Sequence, residues 1–319
     1  MEKVVLLFNL NRYQFDYETE FDSEYTIDSI YNALSSKYEV ISVEADKEFT
    51  WIKKVNEINP DLIFNVCEGF NGPARESVYA AILEQYKYNY SGPDSTNLLI
   101  CHNKYLSKNI LKNEILVPFG YVIENEADLD NLDIKSYPCI VKFNSEGSSL
   151  GMNSKSVVNN YDELKEQVNR LFKQYSNKNV LIEEFIDGKD ISMIYVEGIG
   201  ALGPCEVNCN SIFYDYEMKS DKDDTVIIKT MDGNYDELKN IVMMIAKKLD
   251  IKGYAKLDFR IKENKYYLIE VNSQVSFHPE GEFITCAKKD GYTFYDVVNH
   301  VVKYALEKGY KENSVGWRD

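Results

Sequence analysis

The chain has 319 residues, 44% of them hydrophobic and 28% charged, which is more core than one compact unit holds, so two or three subdomains are expected. A net charge of −16 and an isoelectric point of about 4.8 exclude a sequence-independent grip on nucleic acid, which needs clustered Lys and Arg, and disfavour anionic membrane surfaces for the same reason. No run approaches transmembrane length, and Val4 to Phe8 is too short an apolar stretch for a signal peptide, so a cytoplasmic protein is expected.

Residues 3–8 read as a first strand, 23–36 as a helix with Ile27, Ile30, Tyr31 and Leu34 on one face, and 38–43 as a second strand. A helix at 51–58, a largely apolar strand at 61–66, a helix at 76–86 and a short strand and turn at 89–94 follow. Strands alternating with helices predict a parallel sheet covered on both sides, with ligands beyond the carboxyl ends of its strands. The first domain is therefore placed at residues 1–95, with Glu68 and Gly69 at such a strand end.

The second unit, 96–187, opens with a helix at 103–113 that carries Lys104. A strand at 137–143 delivers Lys142 into Asn-Ser-Glu-Gly-Ser-Ser-Leu-Gly-Met, a Gly/Ser-rich turn whose backbone N–H groups and small hydroxyls can wrap phosphate oxygens. An ordinary hairpin loop is the plainer reading of that turn; the lysine before it favours phosphate. A helix at 162–175 and a strand at 180–186 complete the unit. The third, 188–319, includes a strand at 191–196, the Tyr- and acid-rich run 213–219, a helix at 235–249 and a last helix at 295–308.

The chemistry concentrates in residues 254–272, two runs of period-two alternation around a polar Lys-Glu-Asn-Lys tip, which predict a β-hairpin. A turn centred on Asn264 sets Asp258 opposite Glu270 and Lys256 opposite Asn272, all four on one face. It buries Leu257, Phe259, Ile261, Tyr267, Ile269 and Val271 on the other. Opposed carboxylates repel unless a cation lies between them, and two carboxylates with an amide oxygen suit Mg²⁺, with Mn²⁺ as a substitute. A solvated polar face is the alternative for a hairpin taken alone. The six cysteines, at 67, 101, 139, 205, 209 and 286, contain no Cys-x-x-Cys; free buried thiols are a better reading than zinc, even for Cys205 and Cys209.

Lysine on a helix, lysine before a Gly-rich flap, Val-Leu-Ile-Glu-Glu, Phe-Tyr-Asp-Tyr-Glu-x-Lys, then Asp258 and Glu270-x-Asn272 resemble, in that order, the ATP-grasp superfamily, and within it the D-alanine–D-alanine ligase family. The resemblance implies an α/β chain: a Rossmann-like N-terminal domain, then two α+β subdomains that sandwich ATP. It implies that Lys104, Lys142 and Lys219 meet the phosphates, and that Glu146, Gly147, Ser148 and Ser149 close over them. Glu183, Glu184, Phe185 and Ile186 would line the adenine slot and Asp190 would meet the ribose. Asp258, Glu270 and Asn272 would hold the metal, and Lys256, Ser148 and Lys219 would be catalytic. The implied reaction joins a small-molecule carboxylate to an amine through an acyl phosphate, releasing ADP and phosphate. A homodimer is the assembly allowed for, and residues 144–152 and 215–225 are the elements expected to open and close.

The substrate positions depart from the family. Its Gly-Gly-x-Ser-x-Glu after the first strand is Asn-Leu-Asn-Arg-Tyr-Gln here, with Glu18, Glu20 and Asp22 as loose stand-ins. Its His-Gly is Glu68-Gly69, its tyrosine after Lys219 is Ser220, its arginine is Lys256, and its carboxylate-binding serine is Gly281, flanked by His278 and Glu280. Two D-alanines are therefore not the expected substrates. An authentic D-alanine–D-alanine ligase is the alternative. A nucleotide-binding regulator without turnover is a third, against which the retained metal ligands speak.

Overall fold

A computed structural model describes residues 1–12, 14–134, 136–175, 178–208 and 227–309. The run 213–219, the segment 215–225, Lys219, Ser220 and Cys209 lie outside the described residues.

The first sheet is parallel, in the order β2-β1-β3-β4, from β1 (Lys3–Phe8), β2 (Glu39–Glu44), β3 (Leu62–Val66) and β4 (Tyr90–Ser91). Strands covered on both faces read as continuous apolar runs, and β1 and β3 do. One face carries α1 (Glu24–Ser35), capped by Ser23, whose Oγ accepts from the Thr26 amide. The other carries α2 (Trp51–Ile58) and α3 (Arg75–Gln85), with Trp51, Val55, Tyr79 and Leu83 packed on Val5, Leu7 and Ile63. Beside α1 lies the last described helix, α9 (Phe294–Lys308): its Val297 and Val301 join Val4, Leu6 and Ile30 in one core. The chain's far end thus completes its first layer.

The expected helix at 103–113 begins later than helix formation does. It is preceded by α4 (Ser95–His102), capped by Asp94, and breaks at Asn103, whose side chain caps α5 (Lys104–Leu111). The second sheet is antiparallel, β5-β8-β6-β7, from β5 (Gly120–Ile123), β6 (Cys139–Phe143), β7 (Val157–Val158) and β8 (Val180–Glu184). Helix α6 (Tyr161–Gln174) packs Leu164, Val168 and Leu171 onto it.

The third sheet runs β11-β10-β9-β12-β13, from β9 (Lys189–Val196), β10 (Gly200–Asn208), β11 (Ile227–Thr230), β12 (Tyr254–Lys262) and β13 (Lys265–Asn272). Helix α7 (Asp236–Lys248) covers one face with Leu238, Val242 and Ile245, and α8 (Glu282–Lys289) packs on the other side. Strand β10 was not expected: Gly203-Pro204 interrupts its pattern, and the structure absorbs the break as a register shift between Leu202 and Cys205. No described helix is long and apolar enough to cross a membrane.

The hairpin register holds at its mouth but not at its tip. Asp258 does face Glu270, and Lys256 faces Asn272. The turn, however, is the two-residue Glu263-Asn264, both at positive φ (51° and 58°), closed by Lys262 opposite Lys265. Such primed turns match the strand twist. A bulge at Ile269, between the Phe259–Leu268 and Asp258–Glu270 pairs, restores the outer register. Leu268 is therefore buried with Leu257, Phe259 and Val271, where alternation alone assigned Tyr267 and Ile269.

The first and third sheets meet closely. A Cβ on Gly253 (φ +66°) would stand 2.6 Å from the backbone of Gly92, and the Tyr254 hydroxyl reaches the Asn65 carbonyl at 3.4 Å. Asn97, buried on α4, donates to the Leu249 carbonyl at 3.0 Å and accepts from the Lys252 amide at 2.8 Å. Asn97→Ala strands two buried backbone groups and is expected to cost roughly 2–4 kcal/mol in chemical denaturation. An unchanged denaturation midpoint would show that this tie carries no weight.

Candidate active site

Alternation along β12 and β13 turns Lys256, Asp258, Glu270 and Asn272 to one face. Lys256 Nζ sits 2.9 and 3.1 Å from the two Asp258 oxygens. The Asn272 amide donates to Asp258 at 3.0 Å and to Glu270 at 3.2 Å, and Ser192 Oγ donates to Asp258 at 2.6 Å. Burial, helped by Glu270, holds the Asp258 carboxyl above the usual range despite Lys256. Burial works against the Lys256 ammonium, but Asp258, Glu282 and Glu270 outweigh it, and its pKa is raised. Two opposed acids held together only by donors fit a divalent cation. Asn272 would offer it an oxygen by turning its amide over, an orientation that the present hydrogen bonds assign.

This face opens into a cleft between the second and third sheets. Ile140 and Lys142 of β6, Glu184, Phe185 and Ile186 line it, as do Asp190 and the flap Glu146 to Leu150. Ile269, displaced by the bulge, lines it too. The cleft holds about 160 Å³, below the roughly 300–1,000 Å³ of ligand pockets, and the flap forms part of its wall. In this closed form Ser148 and Ser149 are held at positive φ, 49° and 55°. Non-glycine residues keep that conformation only where the surroundings impose it.

Several expected contacts are occupied from within. Glu183 lines the cleft as expected, with its carboxylate buried between Lys108 and Lys142, the latter at 3.0 Å. Burial opposes its ionisation, and the two lysines overcome that, lowering its pKa. Burial takes Lys108 down to about 8. Lys104 Nζ lies 3.3 Å from Glu270 and 2.5 Å from the Glu146 carbonyl. Asp190 is gripped through both oxygens by Arg260, at 2.6 and 2.8 Å, with the guanidinium 4.7 Å from the Phe185 ring centre. Arg260 was missed although alternation puts it on the Lys256–Asp258 face, and Lys108 although i,i+4 spacing puts it beside Lys104.

A second acidic group lies where the β1 and β3 loops meet. Glu20, Glu68 and Glu76 bring carboxylate oxygens within 4.8 Å of one another. Arg75 pairs with Glu20 and with Glu146 of the flap at 3.3 Å, and His102 joins Glu76 (2.5 Å) to Arg75 (3.0 Å). Gly147 admits Glu20 because no Cβ could fit there; it would lie 2.0 Å from the Glu20 oxygen. Burial, then Glu76, Glu20 and Asp22, push the Glu68 carboxyl well above its ordinary range, with Arg75 opposing. Glu18 instead accepts from the Arg12 and Gln14 amides and shapes the loop.

The acids expected after β13 are not gathered there. His278 packs on Tyr25 and accepts from the Glu280 amide, Glu280 is exposed, and Gly281 precedes the first turn of α8; only the neighbouring Glu282 lines the cleft. Cys205, expected to be free, is free and buried, 3.3 Å from Cys286.

Residues 120–303 match the family model described as the D-ala D-ala ligase C-terminus. The D-alanine--D-alanine ligase of Aquifex aeolicus is 30% identical over 268 residues, 83% of this chain and 89% of that protein. That of Clostridium botulinum (strain Loch Maree / Type A3) is 28% identical over 276 residues, 85% and 89%. Among solved structures, the Bacillus anthracis D-alanine--D-alanine ligase complexed with ATP superposes with a TM-score of 0.78 at 20% identity, covering 98% of this chain and 100% of that one. VanG D-Ala:D-Ser ligase from Enterococcus faecalis gives 0.73 at 17%, covering 95% and 99%. These last two likenesses carry the fold: parallel sheet first, antiparallel sheets after it.

Burial raises the Asp22 carboxyl to about 7 despite a 2.5 Å hydrogen bond from Ser276. A raised folded pKa gives stability that is full below the unfolded value of about 3.9 and lost as pH rises through the folded one. The melting temperature of the free protein is therefore expected to fall between about pH 4 and 7, with Glu68 acting in the same direction, and Asp22→Asn to flatten that fall. An Asp22→Asn profile that overlays the parent would show that Asp22 does not titrate there.

Proposed function

The chain belongs to the D-alanine–D-alanine ligase family, and from that premise we propose that it is an ATP-dependent carboxylate–amine ligase whose substrates are not two D-alanines. The observation that carries this is one cleft shared by the Lys256–Asp258–Glu270–Asn272 face, by Lys104 and Lys142, and by a Gly/Ser flap.

Phosphoryl transfer needs positioning and charge neutralisation, not covalent help from the protein. Lys104 and Lys142 leave their carboxylate partners to meet the phosphates, while Ser148 and the amides around Gly147 and Ser149 close over the terminal one. Residues Glu184, Phe185 and Ile186 take the adenine between apolar walls, and Asp190, steadied by Arg260, meets the ribose. Asp258, Glu270 and Asn272 would hold Mg²⁺, which would supply charge neutralisation to the phosphates. A substrate carboxylate oxygen attacks the γ-phosphorus, the bond to the ADP oxygen breaks, and an acyl phosphate forms. The amine then attacks the acyl carbon, loses a proton, and the tetrahedral intermediate expels phosphate. Lys256 stabilises the oxyanion as a point charge. Lys219, catalytic by resemblance, is proposed to act with it.

The substrate reading rests on Glu68 and its neighbours. A buried acid cluster, in which Glu20 and Glu76 raise the Glu68 carboxyl and a cation would favour its ionised form, favours a substrate with cationic character at that point. D-alanine dimerisation is the second reading, favoured by the names of the relatives above. A screen of amino acid and amine pairs with ATP and Mg²⁺, read by phosphate release and mass spectrometry, separates the two. Weak D-alanyl-D-alanine formation beside another productive pair is expected; efficient D-alanine dimerisation unmatched by any pair overturns the substrate reading. Asp258→Asn and Glu270→Gln should each leave a folded protein whose turnover falls by about two or more orders of magnitude, since such clamps contribute several kcal/mol. Near-normal turnover in both would refute the metal assignment.

A further inference from the structure

Beside the cleft lies a larger cavity, of about 550 Å³ against about 160 Å³. Three segments enclose most of it: the loop after β1, the loop between β3 and α3, and the flap. It shares Glu146, Gly147 and Leu150 with the cleft, so a ligand reaching from one to the other passes directly under the flap.

The charges on its wall are matched among themselves. Glu20 and Glu146 pair with Arg75, and Lys178 pairs with Glu146. A charged group entering here would meet its own sign as well as its opposite. The wall offers flat apolar surface instead. Tyr17 stacks on Phe15 at 5.2 Å with rings 9° from parallel, and stands edge-on to Phe70 at 5.8 Å. Phe15 and Tyr17 remain 55% and 41% exposed. Aromatic rings left uncovered around a concave, charge-balanced space recognise another ring by stacking and edge-to-face contact. An alanine methyl would leave almost all of the space empty.

We propose that this cavity receives the bulky, uncharged aromatic side chain of one of the two substrates. The proposal rests on the ligase reading above for the reaction and on the cavity alone for the side chain.

The test compares alanine, leucine, phenylalanine and tryptophan, each in both configurations, as substrates of the full chain. An aromatic amino acid should exceed alanine in kcat/KM by at least about ten-fold, since even one methylene in a fitted pocket discriminates by that much. Asn71→Trp, on an exposed loop of the cavity wall, should raise KM for that amino acid about ten-fold with a smaller change in kcat, and leave KM for ATP unchanged. Tyr17→Ala removes wall instead of adding it and should lower kcat/KM for the aromatic amino acid by more than it lowers that for alanine, so a misfolded Asn71→Trp does not end the test. A preference for alanine, or an aromatic preference that neither variant moves, overturns the proposal. If no pair releases ADP, the ligase reading fails, and calorimetric titration of phenylalanine amide decides the cavity separately. Saturable binding weakened by Asn71→Trp supports the proposal; no binding overturns it.

Discussion

Like charges held close together away from water are what this structure has to accommodate. Asp258 faces Glu270 across a hairpin, and Glu20, Glu68 and Glu76 converge where two loops meet. Each arrangement is held by cations, among the described residues Lys256 and Lys104 at the first and Arg75 at the second. Arg75 also holds Glu146, so the flap is tied to the acidic corner of the first unit and not only to its own sheet. The flap and the acidic corner thus share one guanidinium.

The hairpin shows what a sequence can and cannot disclose. Period-two alternation was enough to place Lys256, Asp258, Glu270 and Asn272 on one face, because the parity of a strand is set by the backbone itself. The turn was misjudged by half a step, and the bulge at Ile269 compensated for it. Alternation cannot see a bulge, whose cost and benefit lie in what the displaced residue meets; here Ile269 exchanges a place in the core for one on the cleft wall. The parallel sheet and the lysines of α5 and β6 were legible for similar reasons, each being a local pattern.

What was not legible is long-range. Nothing near Glu183 announces that it will be buried between Lys108 and Lys142, and nothing near Asp190 names Arg260 as its partner. Such pairs depend on how three sheets stack. Arg75 and His102, which connect the acidic corner, are separated from Glu20 by 55 and 82 residues of sequence and drew no attention as single residues in ordinary helices. The acids after β13 failed in the opposite way: adjacent in sequence, they diverge in space because α8 starts among them.

The placement of α9 bears on how the chain comes to be folded at all. During synthesis the first sheet is made early, yet the apolar surface that Val297 and Val301 cover stays open until the final helix arrives. An all-parallel sheet with one face only partly covered, here by α1, is prone to sticking to other chains. The nascent chain therefore carries that hazard while residues between α1 and α9 are being made, and its first layer becomes secure only when α9 has left the ribosome.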